Sequence, residues 1–424
     1  MRTRVFLVVA AVGLLWAAAA SAVPDPSWLY VLEGKHVQET DYAYRIFLEP
    51  DWRVSATFPR LREAEQPWYT VRVEESSVQA STAVASEWTE EDTWGNRWQT
   101  VYWSQLAERT TLERRALVVT EAMYGPVRTR DPYPLSKSAR SSVPRAALSA
   151  TDVVQKDDAS IKALAEEAVR GCVSELEAVA RILALVGRRV VYACSADLCE
   201  PVYRVDAAYA LELGKGNCVS FANLALALLR AAGIPAVEAN GFVADREESH
   251  AGHAWISVYF PAWGWVELES ADWMPAYGET PRTFLMPQHI TAYVGEGRGI
   301  ATTGFSEEHA AAFTVLERPE RKETASANCA VGETVAWACA VEVPDGEGGT
   351  VQISLSGLPA GWSCTLSEDV VTLDMNPMAR ARDVLVAITP PAGAHPGQSA
   401  TVTVRGTSAG ADVGAVALTV TVGG

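Results

Sequence analysis

The stretch from Gly216 to Pro235 constrains this chain more than any other. Asn217 is a strong N-cap residue, Phe221, Leu224, Ala225, Leu228 and Ala232 recur at helical spacing, and Gly233 followed by Pro235 is a stop signal. One helix with an apolar stripe is predicted, carrying Cys218 in its first turn. That position matters because the thiolate is the nucleophilic form, and an ordinary thiol near pKa ~8.5 is only a few per cent ionised at neutral pH. The positive end of a helix contributes roughly 0.3–1 kcal/mol, rarely ~2, so less than about 1.5 pKa units. A neighbouring imidazolium adds about 1–3 units more. A reactive Cys218 therefore requires a histidine beside it in space.

The segment His253 to Phe260 alternates strictly, with Ala254, Ile256, Val258 and Phe260 on one face and His253, Trp255, Ser257 and Tyr259 on the other. Pro261-Ala262-Trp263-Gly264 then turns the chain, and Trp265 to Glu269 returns as a second strand. Keeping Val266 and Leu268 on the apolar face puts Glu267 and Glu269 on the face of His253. This requires an odd-length connection or a bulge, for which Gly264 is the natural residue. One of these carboxylates then holds the imidazole in the useful tautomer, completing a set of nucleophile, base and orienter.

These residues together resemble the core of the transglutaminase-like superfamily of papain-type cysteine enzymes. The matching motifs are Gly216-Asn217-Cys218, Leu229-Arg230-Ala231-Ala232-Gly233-Ile234-Pro235, His253-Ala254-Trp255 and Gly264-Trp265-Val266, and the resemblance runs from about Lys156 to about Val294. It implies a triad of Cys218, His253 and an acid sixteen residues beyond the histidine, where this chain has Glu269 in place of the family's aspartate. Asp272 is the nearest aspartate, but alternation puts it on the opposite face. The resemblance implies a papain-like α+β fold and acyl transfer on a peptide or carboxamide carbonyl, the acyl-enzyme being resolved by water or by an amine. Hydrolysis, as in a peptidase or amidase, is the preferred outcome over transglutamination. This chemistry calls for no cofactor and no metal. The backbone N–H of Cys218 is the candidate oxyanion donor.

The flanking text is of another kind. From Val23 to about Ala150, short alternating segments (Tyr42 to Leu48, Trp52 to Phe58, Trp68 to Val73, Arg97 to Trp103, Leu112 to Val119) predict an N-terminal β-sandwich. Its tryptophans, among them Trp52, Trp88 and Trp94, serve packing or a glycan-binding face, packing being the commoner use. Residues 136–149 read as a linker. The period then lengthens to three and four: Ser160 can cap one helix, and Ser174 with Glu177 forms a capping box for a second that ends at Gly187. Val190 to Tyr192 is a short strand and Ala207 to Leu213 a further turn of helix. The core domain is thus 151–305, a charged tether spans 306–327, and 328–424 is again β, resembling an immunoglobulin-like module.

Residues 1–22 have the basic, apolar and small-residue parts of a secretory signal, with cleavage expected after Ala22. The apolar run is shorter than the ~20 residues of a membrane span, so an exported protein without stable membrane insertion is expected, at the cell surface or in the periplasm. Removing Arg2 and Arg4 takes the net charge from −17 to −19. Such a surface repels nucleic acid and anionic lipid. The partners left are a protein or peptide substrate and, through the β modules, an extracellular protein or glycan. Export permits disulfides. With Cys218 reduced, Cys194 and Cys199 form the natural local pair, while Cys329, Cys339 and Cys364 are an odd set of which one stays reduced or reaches Cys172. Three alternatives remain open: His250 as the base, a metal site from Cys194, Cys199, His250 and His253, and a non-catalytic scaffold in which Cys218 and His253 only pack.

Overall fold

The structure, a computed structural model, describes residues 28–66, 68–75, 78–193, 202, 204–244, 252–271, 289–295, 305–342, 349–373 and 381–423. The signal segment 1–22, Cys194, Cys199, His250 and Asp272 lie outside the described residues.

The predicted helix spans Cys218–Ala231. Asn217 caps it, its side-chain oxygen accepting from the Ser220 N–H at 3.1 Å, and Gly233 ends it with φ +79°. The helix is buried all round rather than along a stripe, every residue from Ser220 to Arg230 being inaccessible. Helices Ala159–Ala168, Glu175–Arg189 and Ala207–Leu213 surround it, with strand Gly252–Phe260 on the remaining side. Burial of Arg230 is offset by bonds from its guanidinium to the Ala236 carbonyl at 2.9 Å and the Ser149 carbonyl at 2.8 Å. Asp158, not Ser160, caps the first of these helices. In the Glu175–Arg189 helix Ser174 caps Glu177 as expected, while the Glu177 carboxylate turns back to the Val173 N–H.

Behind the helices lies a four-stranded antiparallel sheet in the order Gly264–Leu268, Gly252–Phe260, Ala236–Val243, His289–Val294. The first pair has the register that parity demands: Ser257 faces Glu267 and Ile256 faces Leu268, across the odd connection Pro261-Ala262-Trp263 closed by Gly264 at φ +78°. An extra residue, Ala292, bulges the last strand opposite Asn240 and Gly241, so His289 and Thr291 join the face of His253.

The flanking regions are β-rich. Strand Leu29–Leu48 is 20 residues long and pairs with Thr110–Tyr124 on one side and Phe305–Glu317 on the other, then reaches Thr334–Glu342 through Leu29 to Val31. This corrects the tether expected at 306–327, which instead forms strands Phe305–Glu317, Glu320–Lys322 and Thr324–Cys329. Its charges mislead because the segment is held by main-chain pairing, its first two strands with Leu29–Leu48 and its third with Ala411–Val422, while side chains such as Glu308 face solvent. The N-terminal half of the long strand hides its alternation for a related reason: His36, Gln38 and Thr40 are buried polar residues.

A three-stranded sheet, Asp51–Pro59, Arg97–Leu106 and Ser86–Glu91, shares a core with this large sheet. In the C-terminal region, a five-stranded sheet packs through Val351, Val402 and Leu418 against Trp337 and Val384. Cys172, Cys329, Cys339 and Cys364 are all unbridged, contrary to the pairing expected for them. Strand Ala381–Thr389 runs between the strands of Cys339 and Cys364, pairing Cys339 with Val384 and Cys364 with Ile388, which keeps them at least two strand spacings, roughly 9.6 Å, apart, and a disulfide needs Cα atoms within about 7 Å.

Most N-terminal tryptophans pack. Trp68 stacks edge-on against Trp263 at 4.9 Å and Trp94 against Trp265 at 5.9 Å, so this region braces the hairpin of His253. Trp52 and Trp88 are exposed. The C-terminal region reaches the helices: Glu368 accepts from Arg188 at 3.1 Å, and Arg382 donates to the Gly187 carbonyl.

Candidate active site

Three elements converge on Cys218. The helix start supplies the thiol, strand Gly252–Phe260 supplies His253, and the two-residue strand Val191–Tyr192 supplies a hydroxyl. That last strand runs parallel to Lys215–Gly216, which holds Tyr192 beside the helix entrance. Gly216 is obligatory there, since a Cβ would lie 2.4 Å from the Ser220 Cβ.

The sulfur meets the His253 ring, the Ala254 N–H and the Tyr192 hydroxyl. Burial pushes the thiol's pKa up, and the hydrogen bond and positive charge of His253 more than offset this, leaving it below its ordinary value. His253 Nε2 lies 2.8 Å from Glu269 Oε2. An ionised carboxylate only accepts, so Nε2 carries the proton and Nδ1 is left to face the sulfur. Burial pulls the imidazole's pKa down; the Glu269 charge and the bonds to Cys218 and Glu269 raise it above its usual value. For Glu269, burial pushes up and the two histidines beside it pull further down, to well below the carboxylate range. The three groups thus form a chain of charge in which a thiolate and imidazolium stabilise each other and the carboxylate stabilises the imidazolium.

Sequence reasoning named Cys218, His253 and Glu269, and the structure brings all three together. It missed Tyr192 and His289. The Cys218 N–H, the candidate oxyanion donor, is directed at the Tyr192 hydroxyl at 3.2 Å. His289 Nε2 lies 2.9 Å from the same Glu269 oxygen as His253. Neither residue carries a local motif: Tyr192 sits on two residues of strand, and His289 lies twenty positions beyond Glu269 in sequence. Glu267, the other carboxylate on this face, instead accepts from Trp255 Nε1 at 2.8 Å and Thr291 Oγ1 at 2.6 Å.

The ligand atoms of His253, Glu269 and His289 lie within 4.8 Å of one another, a donor set suited to a zinc-like ion. Both histidines are hydrogen-bonded to Glu269 Oε2, which accounts for the cluster without an ion. Two members of the other metal set, Cys194 and Cys199, and its His250 are not among the described residues.

Residues 162–270 match the family model of the transglutaminase-like superfamily, and the core of this chain belongs to that superfamily. Among solved structures, similarity extends to a candidate cysteine protease from Cytophaga hutchinsonii at 15% identity, over 68% of this chain and 93% of that one, with a TM-score of 0.48. The periplasmic domain of TgpA from Pseudomonas aeruginosa matches at 15% identity over 54% of this chain and 88% of its own, with a TM-score of 0.28. Red sea bream transglutaminase matches at 9% identity over 90% and 93%, with a TM-score of 0.27. No curated protein matches the sequence. At such identities the chemistry is read from the side chains. Among the described residues, no helix is long and apolar enough to cross a membrane.

Proposed function

We propose that this protein is an exported thiol acyl-transfer enzyme that hydrolyses amide bonds in proteins or peptides. The observation that carries the proposal is the continuous contact from the Cys218 sulfur through His253 to Glu269 at the start of a buried helix. In the first step the Cys218 thiolate attacks the carbonyl carbon, forming a C–S bond and placing negative charge on the oxygen. The Cys218 N–H, which donates to the Tyr192 hydroxyl in the resting site, and that hydroxyl are the donors proposed to turn to this oxygen, and preorganised donors of this kind are worth roughly 10²–10³ in rate each. His253 then gives its proton to the leaving nitrogen as the C–N bond breaks. In the second step His253 takes a proton from water, the resulting hydroxide attacks the thioester, and the thiolate leaves with the acid as product. Glu269 keeps the imidazole oriented throughout and stabilises it whenever it is protonated.

Export rests on the signal-like sequence of residues 1–22. The immunoglobulin-like reading of 328–424 belongs to the same proposal, with the β regions bracing the core and offering surface to an extracellular protein or glycan.

The test is brief iodoacetamide exposure at pH 6 followed by mass spectrometry of the whole protein, Cys218→Ala and His253→Ala. Fast labelling at Cys218 that slows without His253 is expected, followed by peptide cleavage that fails in both variants. Labelling that ignores His253 would return the chain to a scaffold role. Incorporation of an amine donor faster than water would make transfer, rather than hydrolysis, the reaction.

A further inference from the structure

We infer that His289 is a positioning residue that holds Glu269 in line with His253, an inference that rests on the proposed triad. A glutamate has one more rotatable bond than the aspartate the family carries at this place, and its carboxylate can swing by more than an ångström. Misplacement of that size costs about 10²-fold in rate. Here the swing is stopped from three directions. Oε2 accepts from His253 at 2.8 Å and from His289 at 2.9 Å, and Oε1 accepts from the Ala271 N–H at 2.7 Å. His289 therefore carries its proton on Nε2, like His253.

His289 is itself fixed. It is fully buried, its backbone pairs with Val243, its carbonyl accepts from the Tyr69 hydroxyl, and its ring stands edge-on to Trp255 at 4.9 Å. Glu269 and His289 belong to opposite edges of the four-stranded sheet and meet across its face. Gly241, between His253 and Thr291, makes this approach possible: a Cβ there would fall 2.0 Å from the Ile290 carbonyl oxygen and 2.8 Å from the Trp255 ring. The same device recurs two residues along, where Glu267 joins Trp255 to Thr291 across the sheet. Two glutamates thus span the sheet in parallel, and only one of them ends on the histidine beside the thiol.

The charged and titratable groups around this pair come from every packed element. His253 and Glu267 lie on the sheet, Cys218 and Tyr192 on the helix side, and Tyr69 on the N-terminal region. Glu368, Arg382 and Asp383 of the C-terminal region line a small cavity behind Glu269.

The test is the rate of Cys218 alkylation by iodoacetamide from pH 5 to 10 in the full chain, with peptide turnover in parallel. In His289→Ala, alkylation at neutral pH should slow about tenfold or more, and the upper inflection, where the imidazolium loses its proton, should move down by about one pH unit or more because its counter-charge is displaced. His289→Gln, which keeps an N–H donor, should recover most of the loss, while Thr291→Val should leave the inflection in place. The double variant His289→Ala with Glu269→Gln should be no slower than Glu269→Gln alone. If His289→Ala does not fold, His289→Gln is compared with His289→Met, since both fill the space and only glutamine donates.

An unmoved inflection in a folded His289 variant, or additive slowing in the double variant, overturns the inference. Its failure is separable from that of the triad: a silent His289→Ala beside a defective Glu269→Gln removes His289 only, whereas a Cys218 that is no more reactive than the other thiols removes both.

Discussion

Replacing Gly241 by alanine should disable the site from a residue that contacts no reacting atom. The new Cβ would stand 2.0 Å from the Ile290 carbonyl oxygen, against the 3.0 Å below which real Cβ contacts essentially never occur, so strand His289–Val294 has to retreat by about an ångström. The new Cβ cannot be relieved by a shift toward the opposite side instead, because it would already lie 2.8 Å from the Trp255 ring. Overpacking of this kind costs about 1–3 kcal/mol. The same retreat carries His289 and Thr291 away from Glu269 and Glu267, so the expected loss at the site is about 10²-fold in alkylation rate and turnover. The assay pairs a denaturant titration with iodoacetamide kinetics at Cys218. Gly252→Ala is the control, because its nearest contact is 4.0 Å away. A Gly241→Ala protein as stable as the parent and within twofold of its alkylation rate would refute the claim that close approach at this position sets the carboxylate. So would equal damage from Gly252→Ala.

Other consequences follow from single groups. Glu175 is fully buried, neither carboxylate oxygen has a partner among the described residues, and burial, with Asp131 close by, pushes its pKa from 4.5 to about 9. The folded state therefore keeps a proton that the unfolded chain releases, and stability falls between these two values as pH rises, by about 1.4 kcal/mol per unit. Glu175→Gln should remove this slope, gaining about 4 kcal/mol on the parent between pH 5 and pH 8; denaturation midpoints that run parallel at the two pH values would contradict it. Tyr192→Phe removes a hydroxyl that touches both the Cys218 N–H and the sulfur. Peptide turnover should fall about 10²-fold while alkylation, which forms no oxyanion, falls far less; equal losses would leave Tyr192 with a role in the resting thiolate alone. Asn217→Ala should cost about 1 kcal/mol through the lost cap and loosen the first turn, read as a lower thermal midpoint together with slower alkylation; a lower midpoint with unchanged kinetics would separate the cap from the site.

The contrast between His253 and His289 shows how far the sequence reaches. His253 stands in a strictly alternating segment close to its acid, so parity alone places both on one face. His289 comes to the same carboxylate through a bulge at Ala292, a glycine in the intervening strand and a sheet order in which the last strand in sequence pairs with the first. None of these leaves a period in the residues. The same holds for Tyr192, placed by a parallel pair of two-residue strands. Misreadings had a common origin as well. Residues 306–327 look like a tether because charges such as that of Glu308 face water, yet their backbone groups are spent on the longest strand of the protein and, from Thr324 on, on strand Ala411–Val422.

Local chemistry thus determined the helix that starts at Cys218, the hairpin that carries His253 and Glu269, and their shared face, because capping, alternation and odd-length turns act over a few bonds. Tertiary structure alone decided which carboxylate oxygen two histidines share, which hydroxyl meets the thiol, and how the flanking strands interleave. Those choices depend on hydrogen bonds between residues far apart in the chain, whose partners are selected only when the sheets assemble.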